Sequence, residues 1–369
     1  MADRGRLRDT WRIFTLAKHG AARVDVDAAT GRVWQVTNAA KMADGTAMVY
    51  DPNPIVTLRD NTLRDPSLDP LGITPEQSTA RLDGARRALP LRDVDPTLEP
   101  LGQLSGPWVR AVGALPQLGT TLNYTRSDPR FVVAMEYTHI DRYQRYQRYL
   151  QDVLGFKGQA GVNDDAQLVL NINDPEDNSF YQPGNDFINF GVGGVDDAED
   201  AEVILHEYGH AVQDAQVPGW GATEEGGAMG EGFGDFEAAA YFARTSGGFQ
   251  DDCVADWDST TYSTTRPPCL RRMDSSKIYP EAVKHEVHDD GEMWSALLWR
   301  VRAMLAKSAV KRSDLALKLV IASQELQTTQ TDFAHGEVAL KQAARMLGHK
   351  EWVALIDKAA AVGHMPNAV

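Results

Sequence analysis

The stretch AEVILHEYGHAVQD, residues 201–214, decides how the rest of the chain is interpreted. Its apolar residues recur at helical spacing and predict a helix. Residues four positions apart lie on one face of a helix, so His206 and His210 can share one metal ion. Glu207 lies beside them, where a carboxylate can take a proton from metal-bound water. Because short motifs also arise by chance, the interpretation as a metal site requires support from a third candidate ligand elsewhere in the chain.

The segment GAMGEGFGDFEAAAYF, residues 227–242, supplies that ligand. A hydrolytic zinc site takes three protein ligands and leaves the fourth position for water. Glu231 is the candidate third ligand. Asp235 lies one helical turn further on and can accept the second ring N–H of a ligand histidine, which fixes the tautomer of that ring. The alternative is that both acids are solvated surface residues.

Three glycines interrupt this second predicted helix, at Gly230, Gly232 and Gly234. Each costs a helix about 1 kcal/mol relative to alanine. We therefore expect another backbone to approach this helix closely. Gly209, on the HExxH helix, is the matching position that we predict.

The first half of the chain has the patterns of strands and loops. Residues 22–38 alternate apolar and polar side chains around a turn and predict a hairpin. Residues 51–119 are rich in Pro, Asp and Gly, which is typical of loops and short strands. A helix is predicted over residues 131–154, ended by Gly155. Its apolar stripe, which predicts core packing, consists of Tyr143, Tyr146, Leu150 and Leu154.

The second half is mainly helical. Strands are predicted at 167–173 and 186–192, and they precede five predicted helices at 199–215, 229–246, 289–307, 314–326 and 333–347. Ser313 and Asp332 are the expected N-caps of the last two. The chain thus predicts an α+β fold in two lobes, 1–217 and 218–369, with the HExxH helix at the cleft between them.

Composition and charge narrow the function. The 369 residues are 43% hydrophobic and 24% charged, which is typical of a folded globular protein. The formal net charge is −15. Such a surface repels phosphate backbones and anionic lipids, so neither a nucleic acid nor a membrane is an expected partner. No apolar run approaches the roughly 18 residues of a membrane helix. We expect a monomer.

The cysteines and the N-terminus bear on location. Cys253 and Cys269 are either two buried thiols or one disulfide, and the polar, Pro-rich sequence around them favours the disulfide. A disulfide indicates an extracytoplasmic setting. Residues 1–20 lack an apolar leader segment and a cleavage site. The protein is therefore either cytosolic or follows a removed leader, and the disulfide favours secretion.

HEYGH (206–210) followed by EEGGAMGEGFGDF (224–236) resembles the gluzincin zinc metallopeptidases of the thermolysin and fungalysin type. Asn-Ser-Phe-Tyr at 178–181 is similar to the family's Asn-Ala-Phe-Trp edge strand, which pairs with extended peptides. Val-His at 287–288, followed by Gly-Glu-Met-Trp at 291–294, is similar to the fungalysin segment whose histidine stabilises the oxyanion. The resemblance covers residues 170–305.

This resemblance implies a two-lobed zincin fold and a zinc ion held by His206, His210 and Glu231. It further implies that Glu207 is the general base and that His288 stabilises the oxyanion. Carboxylates at 286, 289 and 290 favour the charged form of His288, whereas the helix N-terminus opposes it.

For substrate binding, the resemblance implies roles for Asn178 and Ser179. It also implies an arginine that binds a substrate carbonyl. Arg271 and Arg272 are the candidates, and we prefer Arg272, although a surface arginine is an equal alternative. The resemblance suggests bulky apolar residues after the cleaved bond.

Some features of the family have no clear counterpart. The tyrosine that donates to the oxyanion is not found, and the aromatic residue between His210 and Glu231 is Trp220. Calcium is a further possible cofactor. The acidic run Asp196, Asp197, Asp200 and Glu202 is most simply a solvated face, or else a calcium or helix-dipole site. The hairpin at 22–38 resembles the end of a propeptide, so residues 1–40 are a possible propeptide remnant.

Three functions are compatible with these patterns. A zinc endopeptidase is preferred, because the base and all three ligands are intact. A weakly active or inactive zinc-binding adhesion module is the alternative. An aminopeptidase is less favoured, since the sequence lacks a motif that captures a free amine.

Overall fold

The protein is described by a computed structural model that covers residues 2–3, 6–7, 10–17, 20–38, 43–66, 76–94, 104–111, 120–152, 168–184 and 186–366. The fold class is mixed α+β, as predicted. The lobe boundaries, 1–217 and 218–369, stay a prediction. One continuous hydrophobic cluster contains residues from both sides of that boundary, from Ala47 to Met365.

The strands lie mostly in the first half. They are β1 Ala2–Asp3, β2 Arg6–Leu7, β3 Thr10–Ala17, β4 Gly20–Asp27, β5 Val33–Asn38, β6 Ala43–Val49, β7 Arg87–Val94, β8 Leu104–Ser105, β9 Val109–Ala111, β10 Thr121–Leu122, β11 Leu168–Asp174, β12 Phe180–Gln182, β13 Phe187–Gly191, β14 Cys253–Val254 and β15 Arg271–Arg272. The predicted hairpin is confirmed, because β4 and β5 pair antiparallel. The predicted strands at 167–173 and 186–192 are confirmed as β11 and β13, and residue 167 lies outside the described residues.

A five-stranded sheet supports the site, with the strand order β12-β13-β11-β9-β8. Its central strand β11 runs parallel to both β13 and β9. The short strand β12 forms the edge and pairs antiparallel with β13, with Phe180 opposite Asn189. An edge strand presents unpaired N–H and C=O groups on its outer side, and these can pair with another extended chain.

The helices are α1 Pro54–Leu58, α2 Ala80–Asp83, α3 Arg130–Asp152, α4 Ala201–Gln216, α5 Glu224–Phe242, α6 Val287–Leu305, α7 Ala309–Gln324, α8 Phe333–Met346 and α9 Trp352–Val362. The five helices predicted in the second half are confirmed as α4 to α8, and the helix predicted over 131–154 is confirmed as α3. The helix α9 was not predicted. Short helices α1 and α2 lie in the segment predicted as loops and short strands.

Local capping explains where these helices begin. Asp332 caps α8 as predicted, because its side chain accepts the N–H of His335. The prediction that Ser313 caps α7 is wrong. Ser308 is the N-cap, since its hydroxyl accepts the N–H of Lys311, and Ser313 lies buried inside the helix. Serine is a preferred N-cap residue at either position, but the helix begins after the earlier serine, Ser308.

The tyrosine stripe of α3 packs into the core, as predicted. Tyr143, Tyr146 and Leu150 are buried, and the Tyr143 ring lies 4.9 Å from the ring of Tyr241 on α5. Leu154 and Gly155, which the same prediction includes, lie outside the described residues. The long helix α3 thereby ties the strand-rich half of the chain to the helices of the site.

Close backbone approach at the glycines of α5 is also confirmed. A Cβ atom on Gly209 would lie 3.1 Å from Cα of Gly234, and one on Gly234 would lie 2.9 Å from the backbone oxygen of His206. On the opposite side, a Cβ on Gly232 would lie 3.0 Å from the backbone nitrogen of Ser295 in α6. The glycines therefore let α5 contact both α4 and α6 closely.

Cys253 and Cys269 form a disulfide, with their Cα atoms 5.7 Å apart. The prediction of a disulfide is confirmed. The bond closes the loop that links β14 to the segment before β15, which borders the site. Within the described part of the chain, no helix has both the length and the apolar character that crossing a membrane requires.

Candidate active site

The HExxH residues lie on one buried helix, α4. Asp200 caps this helix by accepting the N–H of Glu202. His206 is only 5% exposed, and its ring centroid lies 4.9 Å from that of His210. The two imidazoles therefore face the same point from successive turns, as residues four apart on a helix do.

Glu231 approaches the same point from α5. Its Oε2 lies 3.2 Å from Nε2 of His206, and its Oε1 lies 3.5 Å from Nε2 of His210. Ligand atoms of the three side chains all lie within 4.8 Å of one another. Two imidazole nitrogens and one carboxylate oxygen are a donor set that suits a catalytic zinc ion.

Asp235 and Arg271 hold the far side of the His206 ring. Asp235 Oδ1 lies 2.9 Å from Nδ1 of His206. Arg271 donates to both oxygens of Asp235, from Nε at 2.6 Å and from Nη2 at 2.7 Å. Asp235 is fully buried, so this arrangement fixes the orientation of His206 and directs Nε2 toward Glu231.

The electrostatics of this group favour a positive charge between the ligands. Burial opposes a charged His206, but its hydrogen bonds to Asp235 and Glu231 prevail and raise the pKa of His206 to about 10. Burial likewise opposes ionisation of Asp235, but Arg271 and His206 prevail and lower its pKa to about 2. Burial also opposes ionisation of Glu231, but its hydrogen bond to His206 prevails and lowers the pKa of Glu231. A divalent cation fits this site in place of a proton.

His288 lies at the start of α6 and faces the same group. Its Nε2 is 3.5 Å from Oε2 of Glu231, and its Nδ1 is 2.7 Å from Oε1 of Glu286. Glu286 is also the N-cap of α6. The ring is half exposed, so it can contact a ligand that enters from solvent.

Two cavities meet at this group. A cavity of 380 Å³ extends toward His210, Trp220 and Asp214. A second cavity, of 320 Å³, extends toward the N-terminal end of α4. We call the second one the acidic pocket, because Asp177, Asp197 and Asp258 line it. Residues that line both cavities are Asn178, Ser179, His206, Glu207 and His288.

Asn178 and Ser179 therefore lie at the cleft, directly before the edge strand β12. The Ser179 hydroxyl donates to Oδ2 of Asp197 at 2.5 Å and accepts the N–H of Gly191 at 3.2 Å. These bonds fix the start of the edge strand beside Glu207.

The structure brings Arg271, and not Arg272, to the cleft. Arg271 lines the acidic pocket. The guanidinium of Arg272 instead pairs with Asp252 and Asp274, at 2.8 and 2.7 Å. Neighbouring residues in β15 point to opposite faces of the strand, so only one of the two can face the cleft. Arg271 therefore replaces our preferred candidate for the carbonyl-binding arginine.

The expectation of a solvated acidic face before α4 is wrong. Asp197, Asp200 and Glu202 are buried, and Asp196 is largely so. Three of these carboxylates accept structural hydrogen bonds: Asp200 caps α4, Glu202 accepts the N–H of Ala255, and Asp197 accepts the Ser179 hydroxyl. The helix-dipole alternative thus applies to Asp200.

Sequence reasoning missed the second wall of the cleft. Asp177, Asp258 and Tyr262 lie there, and Tyr262 donates its hydroxyl proton to Asp258. Asp177 lies just before the edge strand, whereas Asp258 and Tyr262 lie in the segment closed by the disulfide, and no local pattern links them to the HExxH motif. Trp220 lines the larger cavity, but its Nε1 donates to the backbone oxygen of Gly226 at 2.8 Å, so that N–H is already used.

Known proteins resemble parts of this chain in sequence and in fold. Residues 193–363 match the family described as Fungalysin metallopeptidase (M36). The chain is fungalysin-like over these residues. This fungalysin-like segment starts just before α4 and continues to the end of α9, so it includes the HExxH helix, Glu231 and His288.

Two curated relatives are fungal proteins. The chain is 26% identical to extracellular metalloproteinase 9 of Coccidioides posadasii, over 41% of this chain and 28% of that protein. It is also 26% identical to extracellular metalloproteinase mep of Aspergillus terreus, over 40% and 27%. The chain thus matches little more than a quarter of the length of these relatives.

A solved structure with a similar fold is the precursor of protealysin, a metalloproteinase from Serratia proteamaculans. The TM-score is 0.52 at 13% sequence identity, and the match covers 69% of this chain and 85% of that one. The match therefore extends beyond the fungalysin-like segment and supports a thermolysin-like fold for a larger part of the chain.

Proposed function

We propose that this protein is a zinc-dependent endopeptidase. The observation that carries the proposal is the convergence of His206, His210 and Glu231, whose ligand atoms lie within 4.8 Å of one another beside Glu207. The fungalysin-like segment and the metalloproteinase relatives support the same reaction class.

In this proposal His206, His210 and Glu231 hold the zinc ion. Bound zinc supplies Lewis-acid chemistry, which polarises the peptide carbonyl and lowers the pKa of water toward about 7. Glu207 is next to His206 on α4 and lines both cavities, so its carboxylate can take the proton of the attacking water. It then passes that proton to the leaving amine, which is general acid–base catalysis.

His288 and Arg271 act on the substrate oxygens. The half-exposed His288 ring can donate a hydrogen bond to the oxyanion that forms at the attacked carbonyl, while Glu286 holds its Nδ1. Arg271 lines the cleft and is the candidate donor to a neighbouring substrate carbonyl. Asn178 and Ser179 position the peptide, which pairs with β12 as an added strand.

Metal removal tests this function. We expect the purified protein to hydrolyse casein and a quenched fluorescent peptide, to lose this activity in phenanthroline, and to regain it on adding back zinc. The non-chelating isomer of phenanthroline is the control for effects unrelated to the metal, and it should not inhibit. If zinc binds at about one ion per chain but no peptide is cleaved, the endopeptidase proposal fails and the zinc-binding adhesion module is favoured.

We further propose that the protein is secreted and monomeric, and that residues 1–40 are the remnant of a propeptide. The disulfide Cys253–Cys269 supports an oxidising compartment, and the two curated relatives are named extracellular.

Calcium is the second proposed cation. The fitting residues are Asp200, Glu202 and Asp256, three buried carboxylates with oxygens within 4.8 Å of one another. Burial raises the pKa of Glu202 and Asp256, and repulsion from Asp200 adds to the rise. Oδ2 of Asp256 is buried and has no hydrogen-bond partner among the described residues. Oxygen donors of this kind suit calcium.

We expect millimolar calcium to raise the melting temperature by several degrees. Free calcium at about 100 times its dissociation constant would add about 2.7 kcal/mol to the free energy of unfolding. Differential scanning fluorimetry with calcium and with EGTA measures this shift. The Asp256→Asn variant should show a smaller shift, and an equal shift in variant and wild type would refute this site.

A further inference from the structure

The acidic pocket is the least explained feature of the cleft. Asp177, Asp197 and Asp258 contribute carboxylate oxygens that all lie within 4.8 Å of one another. Asp197 and Asp258 are each only 4% exposed, whereas Asp177 is exposed at the mouth. Three ionised carboxylates in so small a space repel one another, and a positive charge between them, or a proton on one of them, relieves the repulsion.

The hydrogen bonds inside the protein do not satisfy this group. Oδ2 of Asp197 accepts from Ser179, and Oδ2 of Asp258 accepts from Tyr262. Asp258 lines the pocket, and its other oxygen, Oδ1, is buried and has no hydrogen-bond partner among the described residues. A buried acceptor without a partner destabilises the unliganded protein, and a ligand that donates a hydrogen bond to it removes that cost.

The nearest cation does not neutralise these acids. Arg271 lines the pocket, but its Nε and Nη2 are both bonded to Asp235.

The position of the pocket identifies what can enter it. It shares His206, Glu207 and His288 with the rest of the cleft, so it begins where the bond would be cleaved. A substrate residue next to that bond would place its side chain inside. The volume of 320 Å³ is far larger than a single ion needs. Val203, Val254 and Leu270 supply apolar wall for a methylene stem.

We propose that the acidic pocket binds the lysine or arginine side chain of a substrate residue adjacent to the cleaved bond. The side chain lays its methylenes along the apolar wall and donates hydrogen bonds to Asp258 and Asp197 at the closed end. Asp177 adds a third negative charge at the mouth. This inference rests on the proposed peptidase function and gives it a specificity for basic residues, in place of the bulky apolar residues that the family resemblance suggests.

A divalent cation is the competing occupant. The geometry favours a side chain, because the pocket is open to the cleft and one of its three acids is exposed. By contrast, the group Asp200, Glu202 and Asp256 is closed on all sides and better suits an ion.

Matched peptides provide the test. A quenched peptide with a single lysine or arginine is compared with peptides that have leucine, glutamine or glutamate at that position, and mass spectrometry locates the cut. We expect kcat/KM for the basic peptides to exceed that for the leucine peptide by about 10- to 100-fold, the range of a hydrogen bond between charged groups. The cut should lie directly beside the basic residue.

Two variants separate this specificity from a general effect of charge. Asp177→Asn changes an exposed residue, so it should fold, and Asp258→Asn removes the buried partner. Each should reduce the preference for basic over leucine peptides, measured as the ratio of the two kcat/KM values, by about tenfold. Asp214→Asn is the matched control, because Asp214 lines the other cavity and its loss changes the net charge equally. It should leave the preference unaltered.

The outcomes are distinguishable. If no peptide is cleaved by the zinc-loaded protein, the proposed function fails. If peptides are cleaved without a basic preference, or if Asp214→Asn reduces that preference as much as Asp258→Asn does, this inference fails. It also fails if calcium or zinc beyond one ion per chain binds to the wild type but not to Asp258→Asn, and peptide preference is the same in both.

Discussion

Replacing Glu207 by glutamine is expected to abolish peptide hydrolysis while zinc stays bound. The ligand atoms that converge belong to His206, His210 and Glu231, and Glu207 is not part of that group. Glutamine has nearly the same shape but cannot accept a proton, so the variant loses general acid–base catalysis. That contribution is typically about 10²- to 10⁴-fold, which brings activity to the detection limit of most peptide assays.

The measurement pairs kcat/KM on a quenched peptide with zinc content from mass spectrometry of the same sample. Glu176→Gln is the matched control, because Glu176 is an exposed glutamate shortly before the edge strand. It should retain wild-type activity and wild-type zinc. Full activity in zinc-loaded Glu207→Gln would contradict the assignment of the base. Loss of zinc in that variant would instead mean that Glu207 is a ligand.

The part of the site that the sequence predicted depends on local geometry. Two histidines four residues apart face the same way on any helix, so the positions of His206 and His210 follow from helical periodicity alone. The same rule relates Glu231 to Asp235 on α5. The contact between α4 and α5 was predicted from the glycines of α5, because glycines destabilise a helix and are expected where another backbone packs closely. Gly209 does contact Gly234.

Features that depend on tertiary contacts were predicted less well. The acids before α4 have the composition of a solvated face, but the loop at residues 255–258 folds over them and supplies N–H donors to Asp200 and Glu202. The choice between Arg271 and Arg272 depends on which face of β15 meets α5. Neither fact has a local pattern in the sequence, because the partners are far apart along the chain.

The acidic pocket could not be predicted from the sequence for the same reason. Asp177 precedes the edge strand, Asp197 precedes α4, and Asp258 lies in the loop closed by the disulfide. Each is an ordinary acid in its own segment. Only the fold brings the three carboxylates together beside Glu207, so a prediction of substrate preference from the family resemblance alone favoured apolar residues.

Replacing Gly234 by alanine is expected to damage the metal site without changing any ligand. The added Cβ would lie 2.8 Å from Nδ1 of His206 and 2.9 Å from its backbone oxygen. A backbone oxygen cannot rotate away as the end of a side chain can, so α4 and α5 must separate. Overpacking of this kind costs about 1–3 kcal/mol of stability, which offsets or exceeds the gain of about 1 kcal/mol in helix propensity.

Separation of the helices also disturbs the hydrogen bond between His206 and Asp235. Loss of such a supporting contact typically weakens metal binding by about 10- to 100-fold. Competition with a fluorescent zinc chelator measures this affinity, and urea unfolding measures the stability.

Gly230→Ala is the matched control on the same helix. The atoms nearest to its added Cβ lie at 3.3 Å or more and belong to the side chains of Trp220 and Gln213, which can adjust. This variant should keep wild-type zinc affinity and wild-type stability or better. If Gly234→Ala binds zinc as tightly as Gly230→Ala does, then the close approach of α5 to α4 is not what holds His206 in position.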